Sequence, residues 1–189
     1  MTTTTTKKKT TNKLQPNAFQ FEILELASKQ RSSAKKVEIL KEYENPGLKS
    51  LFIWNFDDSI ISLLPEGEVP YSSLKEQTAL SGGFSDKLDA ELNGIENKIS
   101  YNGVEEKMNT QHTSIRNEYK LFYNFIKGGN DSLSSIRRET MFINILEGLH
   151  PKEAELLVLV KDKKLQEKYR ITFSNVKDAY PDIQWGGRS

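Results

Sequence analysis

The chain has no cysteine and only two histidines in 189 residues. Without cysteine there is no disulfide scaffold, no thiol nucleophile and no Cys-ligated zinc or iron–sulfur site. His112 and His150 alone exclude the common histidine-built metal centres within one chain. Charge of one sign is also missing: 27 Lys and Arg face 26 Asp and Glu, a net of +1. No apolar run approaches the ~20 residues of a membrane helix, and no charged-then-apolar signal peptide opens the sequence. These absences predict a soluble protein of a reducing cytoplasm, with no membrane partner.

What is present is a chain with 36% hydrophobic and 28% charged residues, enough for one domain with appendages and a sizeable core. Residues 1–13, MTTTTTKKKTTNK, hold Lys7, Lys8, Lys9 and Lys13, a charge of +4, and no apolar side chain after Met1. Such a segment buries too little surface to offset its ordering entropy, so a disordered tail is expected. Residues 14–113 carry 10 Lys and Arg against 16 Asp and Glu, a net of −6, and residues 114–189 carry 13 against 10, a net of +3. An acidic front half and a mildly basic back half can dock on each other or face different partners.

Helix signals dominate. Asn17 is placed to cap a run containing Phe19, Phe21, Ile23, Leu24, Leu26 and Ala27. Ser32 or Ser33 starts a second run through Val37, Leu40 and Tyr43, broken at Asn45-Pro46-Gly47. Residues 48–56 are strongly apolar, and the Asp57-Asp58-Ser59 that follows reads as the cap joining two short helices. Residues 14–71 thus form an N-terminal helical part. Residues 72–110, with Gly82, Gly83, Gly94 and Gly103, read as an insertion or mobile linker with at most a fragile helix.

Residues 111–181 form the C-terminal helical part of the same domain. Thr113 or Ser114 caps a helix carrying Ile115, Tyr119, Phe122 and Ile126, stopped at Lys127-Gly128-Gly129. Asp131 or Ser132 caps the next, with Ile136, Met141, Phe142, Ile145 and Leu146 inward. His150-Pro151 opens a helix apolar nearly all round, hence central, with Lys161 and Lys163 suiting its C-terminal dipole. Thr172 or Ser174 caps a last helix ending at Pro181. Residues 182–189 are a flexible tail. The expectation is an all-α single compact domain of six to eight short helices, its core including Phe52, Trp54, Phe122, Phe142, Leu146, Leu156, Leu157 and Val160.

Residues 127–168, the ending AYPDIQWGGRS and the block FDDSIISLLPEGEVPY at 56–71 together resemble an uncharacterised family of small proteins from tailed phages (myoviruses) of marine cyanobacteria. The stretch near 72–110 is longer here than in that family, which fits a tolerated insertion. The resemblance implies a phage-encoded protein acting in a bacterial host cytoplasm or packaged in a virion. It implies no mechanism.

Each candidate for chemistry has a plainer reading. The turn at residues 127–132 leads into a helix and could cradle a phosphate with Arg137 and Arg138 behind it. It lacks the Gly-Lys-Ser/Thr ending of a P-loop, and Asp131 repels an anion, so a helix–helix turn is favoured. Asp57 and Asp58, near Glu66 and Glu68, suggest a magnesium-dependent nuclease, but helix capping explains them more simply. His150 has no recognisable catalytic partner and is read as structural. Tyr119, Phe122, Tyr123 and Phe125 fit core packing better than base stacking. Lys7, Lys8, Lys9 and Lys13 suit sequence-independent phosphate contact or solubility equally. Trp185, with Arg188 close behind it, has no obvious core to join and suits partner binding or folding back onto the last helix.

No nucleophile, metal or phosphate-loop pattern survives, so no cofactor and no small-molecule substrate is expected. The favoured function is a non-enzymatic accessory protein that binds a phage or host protein, such as replication or transcription machinery. Nucleic-acid binding is the alternative, followed by a virion structural role and the Asp57/Asp58 nuclease.

Overall fold

A computed structural model describes residues 13–71 and 113–187. The expectations for residues 1–12, which include Lys7, Lys8 and Lys9, for the insertion at 72–110 and for Arg188 lie outside them. The described residues form eight α-helices and one 3₁₀ segment, with no sheet. In chain order these are α1 (Gln20–Ser28), α2 (Ser33–Glu42), α3 (Pro46–Phe56), α4 (Ile115–Glu118), the 3₁₀ segment Tyr119–Phe125, α5 (Ser135–Gly148), α6 (Pro151–Lys161), α7 (Leu165–Tyr169) and α8 (Phe173–Ala179). The all-α expectation is met. No helix among the described residues is long and apolar enough to cross a membrane.

The central element is α6, as its all-round apolarity predicts. Leu156, Leu157 and Val160 are fully buried, and α6 packs against α1, α3, α5 and α7. All eight expected core residues are buried. Trp54 on α3 organises the aromatic part of that core. It stacks on Phe125 at 6.1 Å and meets Phe122 and Phe142 edge-on at 5.2 and 6.5 Å. Its indole Nε1 finds no acceptor among the described residues.

A buried carboxylate joins three helix starts. Glu153, in the first turn of α6, is fully buried and accepts the Gln20 N–H at 2.8 Å and the Ile115 N–H at 2.7 Å. These are the leading amides of α1 and α4, which no intrahelical carbonyl can satisfy. Burial pushes the Glu153 carboxyl up to about 7, against the opposing pull of those two N–H donors.

Three local expectations are corrected. The residue preceding α1 is Phe19, not Asn17, and Glu22 reaches back to accept the Phe19 N–H at 2.9 Å, so the acid three positions on supplies the cap. The run after Ser114 is a single α turn that tightens to 3₁₀ rather than one α-helix. A three-residue repeat aligns Tyr119, Phe122 and Phe125 on one face, and two of these lie against Trp54. The cap of α5 is Ser134, not Asp131 or Ser132; Asp131 instead accepts the Gly128 N–H and closes the glycine turn. Lys161 stands in the last turn of α6, as its dipole favours, and is buried there. Its ammonium donates to the Pro65 and Gly67 carbonyls at 2.7 and 3.2 Å and also to Asp162.

Candidate functional site

The site forms where α3 ends. Asn45 caps that helix by accepting the Leu48 N–H at 2.9 Å, with Pro46 in the first position. Its last residue, Phe56, is half-buried, and the chain then turns sharply through residues 57–59. Asp57 makes that turn rather than capping a following helix, which corrects the sequence expectation. Its Oδ1 accepts the Ser59 amide at 2.9 Å and the Ser59 hydroxyl at 2.7 Å. A short acid that can bond the backbone two residues on competes with helix formation, and here it wins.

The other oxygen of Asp57 reaches the far end of the chain. Oδ2 accepts the Gly186 N–H at 3.1 Å. The residues expected to be a flexible tail therefore run along α3, through residue 187, as a strap. Asp182 pairs with Lys49 near the start of α3 at 2.7 Å, and Glu44 pairs with the same ammonium. Those two carboxylates hold the Lys49 ammonium above its usual range, and Lys49 holds Asp182 below the usual carboxylate range. Ile183 is buried, and Trp185 sets its ring edge-to-face with Phe173 at 4.8 Å and 80°. Phe173, the first residue of α8, also lies 6.2 Å from Phe56. The Trp185 Nε1 is shielded from solvent and finds no acceptor among the described residues.

Phe56, Asp57, Asp58, Ser59, Phe173, Trp185 and Gly186 line an open cleft of about 420 Å³. Phe173 is 41% exposed, which is high for a large apolar side chain held by aromatic neighbours on both sides. Residues from the two sequence blocks at 56–71 and 179–189 thus line one concavity together. Phe173 was not singled out from the sequence. Its position as an aromatic directly after a Thr172 cap, on a seven-residue helix, is the signal that marks it.

Other sequence candidates are placed elsewhere. Arg138 is 6% exposed and donates to the carbonyls of Asn124, Asn130 and Leu133 at 2.8 to 3.0 Å, so it holds the turn and is not open to a phosphate. Arg137 is exposed beside it. Lys13 lies 3.6 Å from Glu42 on the surface. His150 caps α6 by accepting the Lys152 N–H and stacks on Phe21 at 5.0 Å, in line with the structural reading. Phe122 and Phe125 are core, whereas Tyr123 is 50% exposed. Asp58 is exposed and Asp57 buried, and no group of three His, Asp or Glu gathers at a metal-holding distance among the described residues.

The profile of a family of unknown function (DUF6433) matches residues 23–93 and 84–167, two overlapping segments that together cover most of the sequence, and the chain belongs to that family. The match takes in Phe56 to Ser59 and ends before Phe173. No curated protein and no solved structure matches the chain.

Proposed function

We infer that this member of the family is a non-enzymatic, phage-encoded accessory protein that binds another protein in the host cytoplasm, and that the cleft beside the C-terminal strap is where the partner docks. One observation carries the reading. An aromatic residue lining a concavity, Phe173, stays substantially exposed although the fold has an apolar interior. Aromatic side chains in such pockets are the groups that anchor protein interfaces. The strap adds Trp185 to the same wall, joining the sequence candidate for partner binding to a site built by α3 and α8.

The test is affinity capture with the full chain in infected cells, comparing the native protein with Phe173→Ala and Trp185→Ala variants shown to be folded by circular dichroism. A protein recovered by the native chain and lost by both variants is the expected result. Retention of every partner by both variants removes the cleft from the interaction. Recovery of nucleic acid instead, released between ~50 and ~200 mM salt, establishes the alternative reading through phosphate contacts. Recovery of the protein in purified particles establishes a virion role, and metal-dependent cleavage lost in Asp57→Ala/Asp58→Ala establishes a nuclease.

A further inference from the structure

We propose that this cleft receives a single cationic side chain, a lysine or arginine presented by the protein partner; the proposal rests on the interaction reading above and names what the site recognises. Three aromatic rings border the cleft. Phe173 lies between the other two, 6.2 Å from Phe56 at 43° and 4.8 Å from Trp185 at 80°. Rings at these angles form a corner rather than a parallel stack, so aromatic surface remains available to the cavity. Ring faces carry negative quadrupole density and attract an ammonium or guanidinium within about 6 Å of the centroid.

The polar wall has the matching charge. Asp58 is exposed at the cleft, and the Asp57 carboxylate lies behind it, bonded to Ser59 and Gly186. The neighbouring Lys163 ammonium donates to the Asp57 backbone carbonyl at 2.9 Å, so that cation is engaged at the back of the turn and does not line the cavity. An apolar side chain entering here would strip water from Asp58 and return nothing, and an anion would meet the Asp58 carboxylate. A lysine or arginine suits both walls, its stem along the rings and its charge toward Asp58. A second hollow among the described residues, about 110 Å³ and lined by Leu64, Val69 and Phe142, is smaller, and its Lys161 ammonium is already held by two carbonyls and Asp162.

The probe is a set of acetylated, amidated Gly-X-Gly peptides with X as Lys, Arg, norleucine or Glu, added to the ¹⁵N-labelled full chain. The chain has two indole N–H groups, from Trp54 and Trp185, and a Trp185→Phe variant assigns them. The lysine and arginine peptides are expected to shift the Trp185 indole signal saturably in the millimolar range and leave Trp54 in place. Norleucine and Glu peptides are expected to leave both in place, and Asp58→Asn to weaken the lysine peptide about two- to fivefold. Equal binding of norleucine, no shift with any peptide, or indifference to Asp58→Asn overturns the proposal. If the infected-cell partner still depends on Phe173 and Trp185 while no cationic peptide binds, the cation reading falls and the interaction reading stands. If the lysine peptide binds and no partner depends on the two rings, the reverse holds.

Discussion

The Asp57 carboxylate accepts the Gly186 amide at 3.1 Å across 129 residues of sequence, and this bond closes the C-terminal strap over the end of α3. The same side chain holds Ser59 through its other oxygen, so one buried acid, 1% exposed, fixes both the turn after α3 and the strap. The cleft exists because these two segments are tied at a common point.

Asp57→Ala is therefore expected to cost about 1 to 3 kcal/mol, because it leaves the Ser59 and Gly186 donors without their acceptor. The loss should also be local. Hydrogen exchange at Gly186 should accelerate more than at Leu156 or Leu157 in the central helix. Equal protection of Gly186 in the variant and the native chain would show that Lys49–Asp182, Ile183 and the Trp185–Phe173 contact hold the strap without Asp57.

Glu153 predicts a pH dependence of stability. Its carboxyl titrates near 4.5 when solvated and is pushed up to about 7 by burial in the fold. Below pH 4.5 it is protonated in both states. Between about 4.5 and 7 the unfolded chain releases the proton while the folded chain keeps it, so stability falls as pH rises. Above 7 the loss is complete, at about 3 kcal/mol. Glu153→Gln cannot ionise, so its urea midpoint relative to the native chain should rise steadily from pH 4.5 to 7.5. A constant difference across that range would show that the buried carboxyl keeps its ordinary affinity for protons.

The glycine turn before α5 predicts an asymmetry between neighbours. A Cβ on Gly129 would lie 1.9 Å from the Tyr123 carbonyl oxygen, a backbone atom that cannot swing aside. Gly128 has open space around it but a φ of +78°. Gly128→Ala should cost about 1 to 2 kcal/mol from left-handed strain. Gly129→Ala should cost more, because the 3₁₀ segment itself must move. Thermal melts of the two variants check the order, and a smaller loss at Gly129 would mean that the segment shifts easily.

Much of this was legible in the sequence because periodicity reports burial directly. The all-round apolar run in α6 and the aromatic positions of α3 and α5 mark their own places in the core. Caps were read less well, because a cap is a choice among nearby polar groups. Asn17, Asp131 and Asp57 each have the right chemistry, yet Glu22, Ser134 and the Ser59 turn decide the outcome. The cleft was half legible. Asp57, Asp58 and Trp185 stand out as residue types, but their meeting depends on a strap bond across 129 residues that no local pattern encodes. Glu153 was invisible for the same reason: as sequence it is an ordinary acid in a first turn, and only packing gives it two foreign amides.

Arg138 gives the clearest separation of a structural cation from a binding one. Its guanidinium donates from Nε to the backbone carbonyl of Asn124 in the 3₁₀ segment and from one terminal nitrogen to those of Asn130 and Leu133 in the loop before α5. The Asn130 carbonyl also accepts the Leu133 N–H at 3.4 Å, so Arg138 reinforces a turn the backbone has begun to close and ties it to Asn124 and Leu133. Arg138→Ala should cost about 2 to 4 kcal/mol, since charged hydrogen bonds are worth more than neutral ones and their partners are left partly buried. Arg138→Lys should recover little of this, because one ammonium cannot reproduce a planar fork aimed at carbonyls of separate residues. Arg137→Ala, removing an exposed neighbour, should change stability by less than about 0.5 kcal/mol. If the chain has any affinity for polyanions, Arg137→Ala should reduce it while leaving the melt unchanged, and Arg138→Lys should do the opposite. Urea unfolding and heparin-column retention of the three variants separate the roles, and near-native stability in Arg138→Lys would show that charge alone, not the fork, holds the loop.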